Sequence, residues 1–190
     1  MSNSWDRPPI PKRGDEHENE TLIYVGRIIS RWEAIEFELS RLHSCFAGAP
    51  DEQGPVAEYG SGTIFRMRAD ILKRGGDADF LRRCDQRREG EFEQLLKQAK
   101  GFGDRRNDIA HGILWQITQL TYFRERIRPD LRSRPHYAII PPLYALRFHK
   151  AGLPDFCYSS AEMSRLLLRL EKLHFRIEKF RVGLLGQQSS

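Results

Sequence analysis

Two apolar seams of equal step dominate what this chain can fold into. Val25, Ile28, Trp32, Ile35, Leu39, Leu42 and Phe46 follow one another at alternating intervals of three and four. Met163, Leu166, Leu170, Leu173, Ile177, Phe180 and Leu184 repeat the same pattern near the other end. That spacing draws one apolar stripe along a helix. Two stripes of matching length cover each other most economically by packing lengthwise in a bundle. A coiled coil between two chains is the competing solution, but three heptads are short for one and the flanks carry no clean charge code. The expected fold class is therefore mainly α, with long helices from about Asn19 to Phe46 and from about Ser159 to Leu185. Ser159 and Glu162 have the spacing of a capping box at the start of the second.

The middle of the chain is less regular. "GAPDEQGP" (48–55) stops the first helix with two glycines and two prolines. A shorter helix is expected over about 63–73, on Ile64, Met67, Ile71 and Leu72, with "RGGDAD" (74–79) as its end. A third, from near Asp77, carries Phe80, Leu81, Cys84, Phe92, Leu95, Leu96, Ala99 and Phe102. Beyond Gly112 the pattern turns β-prone, in "ILWQITQLTYF" (113–123) and "HYAIIPPLYALRFH" (136–149). Pro141 and Pro142 confine the second run to a sheet edge or split it. Residues 113–158 are thus expected as a small β-hairpin-like insertion before the last helix. Its aromatic residues and arginines, from Trp115 to Tyr144, suit an ordinary hairpin packed on the bundle better than a base-stacking surface. Residues 1–17 are Pro-rich and aperiodic and are expected to form a disordered arm. Residues 18–186 are expected to form a single domain, and 187–190 a tail.

Composition narrows the function classes. No apolar run approaches the ~20 residues needed to span a bilayer, and the N-terminus has no apolar leader core. The expectation is a cytoplasmic chain with no membrane partner. Cys45, Cys84 and Cys157 are far apart and unpaired in sequence, which argues against a zinc site or a disulfide framework. The net charge is +5, and 24 of the 31 basic residues are arginine. Arginine forks suit phosphate, so RNA is an admissible partner, although codon bias explains the same excess. There is no hydrolase elbow, no phosphate-binding glycine loop and no redox cysteine pair. His17, His43, His136 and His149 are isolated and read as surface or packing residues.

The densest polar stretch is "GDRRNDIAHG" (103–112) at the end of the third helix. On a helix, Asn107 and His111 are four apart and share a face. Gly112 is placed to end the helix in a left-handed conformation, leaving His111 in the last turn. Gly101 and Gly103 admit two readings. Either the helix breaks, with Asp104 capping a new one, or the glycines let a neighbour approach closely.

"RNDIAHG" resembles the Arg-x4–6-His signature of the HEPN superfamily (higher eukaryotes and prokaryotes nucleotide-binding domain), in which a polar residue, commonly Asn, follows the Arg. Arg106, Asn107 and His111 match it position by position. "RWEAIEFEL" in the first helix is similar to the first helices of bacterial members, and there the resemblance points to Glu36. A second copy of the bare spacing, Arg169 and His174 in "RLEKLH", lacks the Asn and the Gly and lies beside the apolar seam, so it is set aside.

The resemblance implies an HEPN-like helical bundle that works as a homodimer and cleaves RNA without a metal or other cofactor. It implies Arg106, Asn107 and His111 as the catalytic set, with Arg105, Asp108 and Glu36 in support. Histidine can exchange a proton near neutrality, and arginine can hold a phosphate. Asn107 would orient the His111 ring. Asp108 would raise the histidine's pKa or else lie solvated at the surface, and Arg105 would assist Arg106 or face solvent. Glu36 would pair with the motif or face solvent. Family habit adds a toxin–antitoxin or phage-defence setting, with a cognate antitoxin or nucleotidyltransferase as partner. The competing class is a non-catalytic dimerisation, interaction or nucleotide-binding module.

Overall fold

The apolar seams lie where helical periodicity puts them. In the structure, a computed structural model that describes residues 3–142, 144, 149–150 and 153–186, every seam residue is buried except the half-buried Val25. The protein is mainly helical, with a small antiparallel pair of strands before the last helix. Its helices are α1 (Glu18–Phe46), α2 (Gln53–Gly60), α3 (Phe65–Arg83), α4 (Gln86–Ala110), α5 (Thr121–Arg124) and α6 (Ser160–Leu185). Its strands are β1 (Ile113–Gln116), β2 (Tyr137–Ile140) and the two-residue pair β3 (His149–Lys150) and β4 (Leu153–Pro154). The expected tail, 187–190, lies outside the described residues, as do parts of the insertion between 143 and 152.

The sequence leads to one domain over 18–186. The structure divides into two compact units, one made of 1–30 and 104–169 and the other of 31–103 and 170–190. Each unit draws on both ends of the chain because α1, α4 and α6 each contribute to both.

The second unit is built on aromatic packing. Phe46 meets Phe80 and Phe92 edge-on at 5.3 and 5.1 Å between ring centres, and Phe180 stacks on Phe92. Buried Arg181 on α6 donates to buried Glu38 on α1 at 3.0 Å, which ties the two seam helices together within this unit. Gly75 and Gly76 do not end a helix as expected; α3 runs through both to Arg83. A Cβ on Gly76 would lie 2.7 Å from Phe92, and one on Gly75 3.0 Å from His43. The glycines are there for close approach, and tertiary packing outweighs their low helix propensity. The break falls at Cys84 instead, in the left-handed region at φ 54°. Asp85 then caps α4 by accepting the Arg88 N–H at 3.1 Å.

The first unit holds the insertion. β1 and β2 pair antiparallel with Ile113 opposite Ile140 and Gln116 opposite Tyr137. Pro141 follows the last residue of β2, so the proline pair splits the β-prone run. The rest of the 113–123 run is not strand. It forms a 3-10 turn (Ile117–Gln119) and α5, because Ile117, Phe123 and Ile127 turn inward onto Ala138, Ile140 and Cys157. The other edge of β2 is also covered: Tyr137 exchanges backbone hydrogen bonds with Asp15, and Ile139 with Tyr158.

The Asp15 contact corrects the expectation of a disordered arm. Residues 3–17 lie along the first unit with Ile10 packed on its core. A Cβ on Gly14 would sit 2.7 Å from the Tyr137 carbonyl oxygen. The Asp15 carboxylate is buried and accepts from Thr21 Oγ1 (2.6 Å), Ser160 N (2.8 Å) and Ser160 Oγ (2.6 Å). One side chain outside every helix thus caps the start of α6 and holds α1. At the same helix start Glu162 accepts from the Ser159 N–H (3.1 Å) and hydroxyl, so the glutamate's half of the expected capping box forms, while the serine hydroxyl turns onto the glutamate. The arm's prolines make docking affordable because they leave the free chain less backbone freedom to lose.

Candidate functional site

The motif occupies the last two turns of α4 and the two residues after it, His111 and Gly112. α4 continues unbroken through Gly101 and Gly103 to Ala110, so Asp104 starts no new helix. A Cβ on Gly103 would lie 3.1 Å from Phe65 and 3.2 Å from Trp32, both in the second unit. Close approach is the reading that holds, and aromatic side chains are what approach.

Asn107 and His111 are exposed and one helical turn apart, and the His111 N–H closes the helix on the Asn107 carbonyl at 3.0 Å. No hydrogen bond holds the His111 ring among the described residues. The Asn107 amide oxygen accepts from Arg106 Nη1 at 3.1 Å instead of meeting the ring. Arg106 itself is half-buried. The structure thus brings Arg106 and Asn107 together and leaves His111 projecting at the helix end beside them.

Gly112 ends the helix for a different reason from the one its sequence position suggests. It is not left-handed; the one described glycine with positive φ is Gly48. A Cβ on Gly112 would fall 2.2 Å from Ile139 Cγ2 and 2.9 Å from the Asp108 carbonyl oxygen. The absence of a side chain lets the helix end lie flat on β2, and that contact fixes where His111 stands.

The three supporting residues are occupied elsewhere. Asp108 is buried, neither solvated nor turned to His111. It accepts from Arg7 Nε (3.0 Å) and Nη2 (2.9 Å) and from the Tyr158 hydroxyl (3.3 Å), and it is ion-paired with Arg105 Nε at 2.9 Å. Arg105 neither assists Arg106 nor faces solvent: it also donates to the Trp5 carbonyl at 3.2 Å. Burial, followed by the Asp108 carboxylate, raises the Tyr158 phenol above its ordinary value, so it stays a donor. The hydrogen bond to Asp108 raises Arg7, against the opposing effect of burial. Glu36 belongs to the second unit. Its buried carboxylate accepts from Trp32 Nε1 (3.1 Å), Tyr59 Oη (2.6 Å) and Arg68 Nε (3.0 Å) and Nη2 (2.7 Å). The hydrogen bonds it donates to Glu36 raise the Arg68 guanidinium, and burial raises the Tyr59 phenol. This is a satisfied internal network that organises α1, α2 and α3.

The residues that sequence reasoning passes over are Arg7 and Tyr158, 101 positions before and 50 positions after their partner Asp108. Their one local signal is the Arg-Pro-Pro run, which presets Arg7 as extended chain. The set-aside pair is also explained: Arg169 donates to the Ser4 carbonyl at 2.7 Å in the first unit, and His174 meets Arg31 at 3.2 Å in the second. Among the described residues, no three His, Cys, Asp or Glu side chains gather as a metal site, and no helix is long and apolar enough to cross a membrane.

Comparison of the chain with protein families, with curated proteins and with solved structures returned no significant match.

Proposed function

We propose that this chain is a metal-independent endoribonuclease of HEPN type, acting as a homodimer on RNA. The observation that carries the reading is the His111 ring, exposed at the end of α4 beside Asn107 and Arg106 while the neighbouring Arg105 and Asp108 are locked into structure. A general acid–base must reach its substrate, and this imidazole is accessible. In the proposed reaction the RNA 2′-oxygen attacks the adjacent phosphorus and the bond from phosphorus to the 5′-oxygen breaks. His111 takes the 2′-hydroxyl proton or delivers one to the departing 5′-oxygen, leaving a 2′,3′-cyclic phosphate and a 5′-hydroxyl. Arg106 holds the phosphate and offsets charge growing on its oxygens, and Asn107 holds Arg106. The dimer, the toxin or phage-defence setting and an antitoxin or nucleotidyltransferase partner follow from the family resemblance.

The test is RNA cleavage in excess EDTA by wild type, His111→Ala and His174→Ala. The reading expects wild type and His174→Ala to leave cyclic phosphate ends, and His111→Ala to be folded and inactive. Equal activity, or none in all three on several RNAs, favours a non-catalytic interaction module. One observation already speaks for that second reading: Glu36, Arg105 and Asp108 are engaged in ion pairs that stabilise the fold.

A further inference from the structure

The β1–β2 sheet of the first unit has two edges of different kinds. The chain closes the β2 edge itself: Tyr137 exchanges backbone hydrogen bonds with Asp15, and Ile139 with Tyr158. No described residue does the same along β1. We propose that the free edge of β1 takes up an extended peptide of a partner protein as an added strand, one that carries lysine or arginine at alternate positions. The proposal concerns a protein partner rather than RNA, and it goes beyond cleavage.

The register shows which groups are open. Leu114 lies opposite Ile139, and Gln116 opposite Tyr137. Ile139 and Tyr137 turn their N–H and C=O groups away from β1, toward Tyr158 and Asp15. Opposite residues of an antiparallel ladder either bond each other or both face outward. The Leu114 N–H and C=O and the Gln116 N–H therefore point away from β2, and no described residue meets them. Two residues of strand span about 7 Å, the repeat at which the matching groups of another strand recur. Natural edges are commonly blunted by charge, proline or a bulge. Ile113, Leu114, Trp115 and Gln116 carry no charge and no proline, and their register with β2 is unbroken. The edge is thus open in its backbone and undefended in its side chains.

Charge selects the occupant. A groove of about 360 Å³ lies at this strand, lined by Leu114, Gln116, Gln119, Tyr137 and Glu18 among others. The chain has 31 basic residues, and none is among the described lining residues. The one charge among them is the exposed Glu18, which forms no ion pair among the described residues. Leu114, Gln116 and Tyr137 share one face of the sheet, because side chains alternate along a strand. Ile113 and Trp115 belong to the opposite face, which packs on the core. An added strand presents its own alternate side chains to these two faces. Cations on the first meet Glu18, and apolar residues on the second continue the surface of Trp115. A second copy of β1 brings no cation to Glu18, so a foreign strand fits the edge better.

Fluorescence anisotropy of the full chain with a labelled peptide of alternating lysine and valine tests the site. The peptide should bind, with affinity falling as salt rises. Methylating alternate peptide amides should weaken binding at least about tenfold, because added strands are held by main-chain hydrogen bonds. Replacing its lysines by glutamates should do the same. Glu18→Gln should weaken binding about two- to fivefold and flatten the salt dependence. Leu114→Pro removes an N–H that β2 does not use, so it should fold and bind at least about tenfold more weakly. The methylated peptide makes the same comparison on the unaltered chain. His111→Ala should bind like wild type, which separates this edge from the proposed nuclease centre. No binding of the lysine–valine peptide overturns the proposal, as does equal binding of the methylated or glutamate peptide. So does a wild-type dimer that Leu114→Pro dissociates, since the edge would then belong to a second copy.

Discussion

Arg7 reaches across 101 positions of sequence to fork onto Asp108, placing Nε and Nη2 at 3.0 and 2.9 Å from the two carboxylate oxygens. Removing the two partners should therefore have unequal effects. Asp108→Ala removes the carboxylate that Arg7 and Arg105 share in a largely buried place and should cost about 3 kcal/mol. Arg7→Ala leaves Asp108 with Arg105 and Tyr158, and Arg7 is about one-third exposed (32%), so about 1–2 kcal/mol is expected. Urea unfolding of both variants checks the order; equal losses would mean the clamp is not centred on Asp108.

Asp15 is the most heavily used residue of the arm. Asp15→Ala strips three hydrogen bonds from the starts of α1 and α6 and should destabilise the protein by about 2–3 kcal/mol. Asp6→Ala, at an exposed position in the same arm, should cost well under 1 kcal/mol on the scale of surface substitutions. Thermal melting of the pair provides the comparison, and similar melting temperatures would contradict the docked arm.

Two glycines of α4 and its end should respond with opposite sign. Gly112→Ala drives a methyl into Ile139 and the Asp108 carbonyl and should cost more than about 2 kcal/mol through overpacking. Gly90→Ala meets nothing within 4 Å in the same helix and should stabilise by roughly 0.5–1 kcal/mol. Chemical denaturation reads both, and a neutral Gly112→Ala would disprove the close seat on β2.

Tyr158 sets a limit at alkaline pH. Its phenol is raised by burial and by Asp108, so the folded state holds that proton more tightly than the unfolded chain does. Below pH ~10, the ordinary tyrosine value, both states are protonated and the contribution is fully present. As pH rises past it the unfolded chain ionises first, and stability falls by up to about 1.4 kcal/mol per pH unit from this group. Tyr158→Phe should lose about 1 kcal/mol at pH 7 and show a shallower decline above pH 10. Unfolding midpoints between pH 7 and 11.5 measure the two slopes, and parallel slopes would count against it.

How much of this was legible beforehand depends on whether the cause is local. The seams through Trp32 and Leu170 could be read because helical periodicity is a property of neighbouring residues, and the pair at Ser159 and Glu162 for the same reason. Pro141 marked the end of β2 because proline lacks the amide hydrogen a strand needs. Gly75 and Gly76 could not be read: their role depends on Phe92 and His43, which no local window contains. Asp108 looked like a surface carboxylate beside a histidine because its partners, Arg7 and Tyr158, come from elsewhere in the chain. Glu36 looked like part of the motif on family grounds, whereas its four hydrogen bonds come from Trp32, Tyr59 and Arg68. In the candidate site, residue types and helix-end position were visible in sequence, but the division between exposed His111 and immobilised Arg105 and Asp108 was not.

The bond from Asp15 to Ser160 spans 145 positions, and this has a consequence during synthesis. At the ribosome's pace of roughly 5–20 residues per second, Asp15 emerges about 7–30 s before the serine that completes its hydrogen bonds. For that interval Gly14 and Ile10 have no β2 to lie on, and then no α6 to anchor. The first unit can therefore close only late in translation, and a nascent chain stalled before residue 160 would carry its arm unfastened and open to proteases.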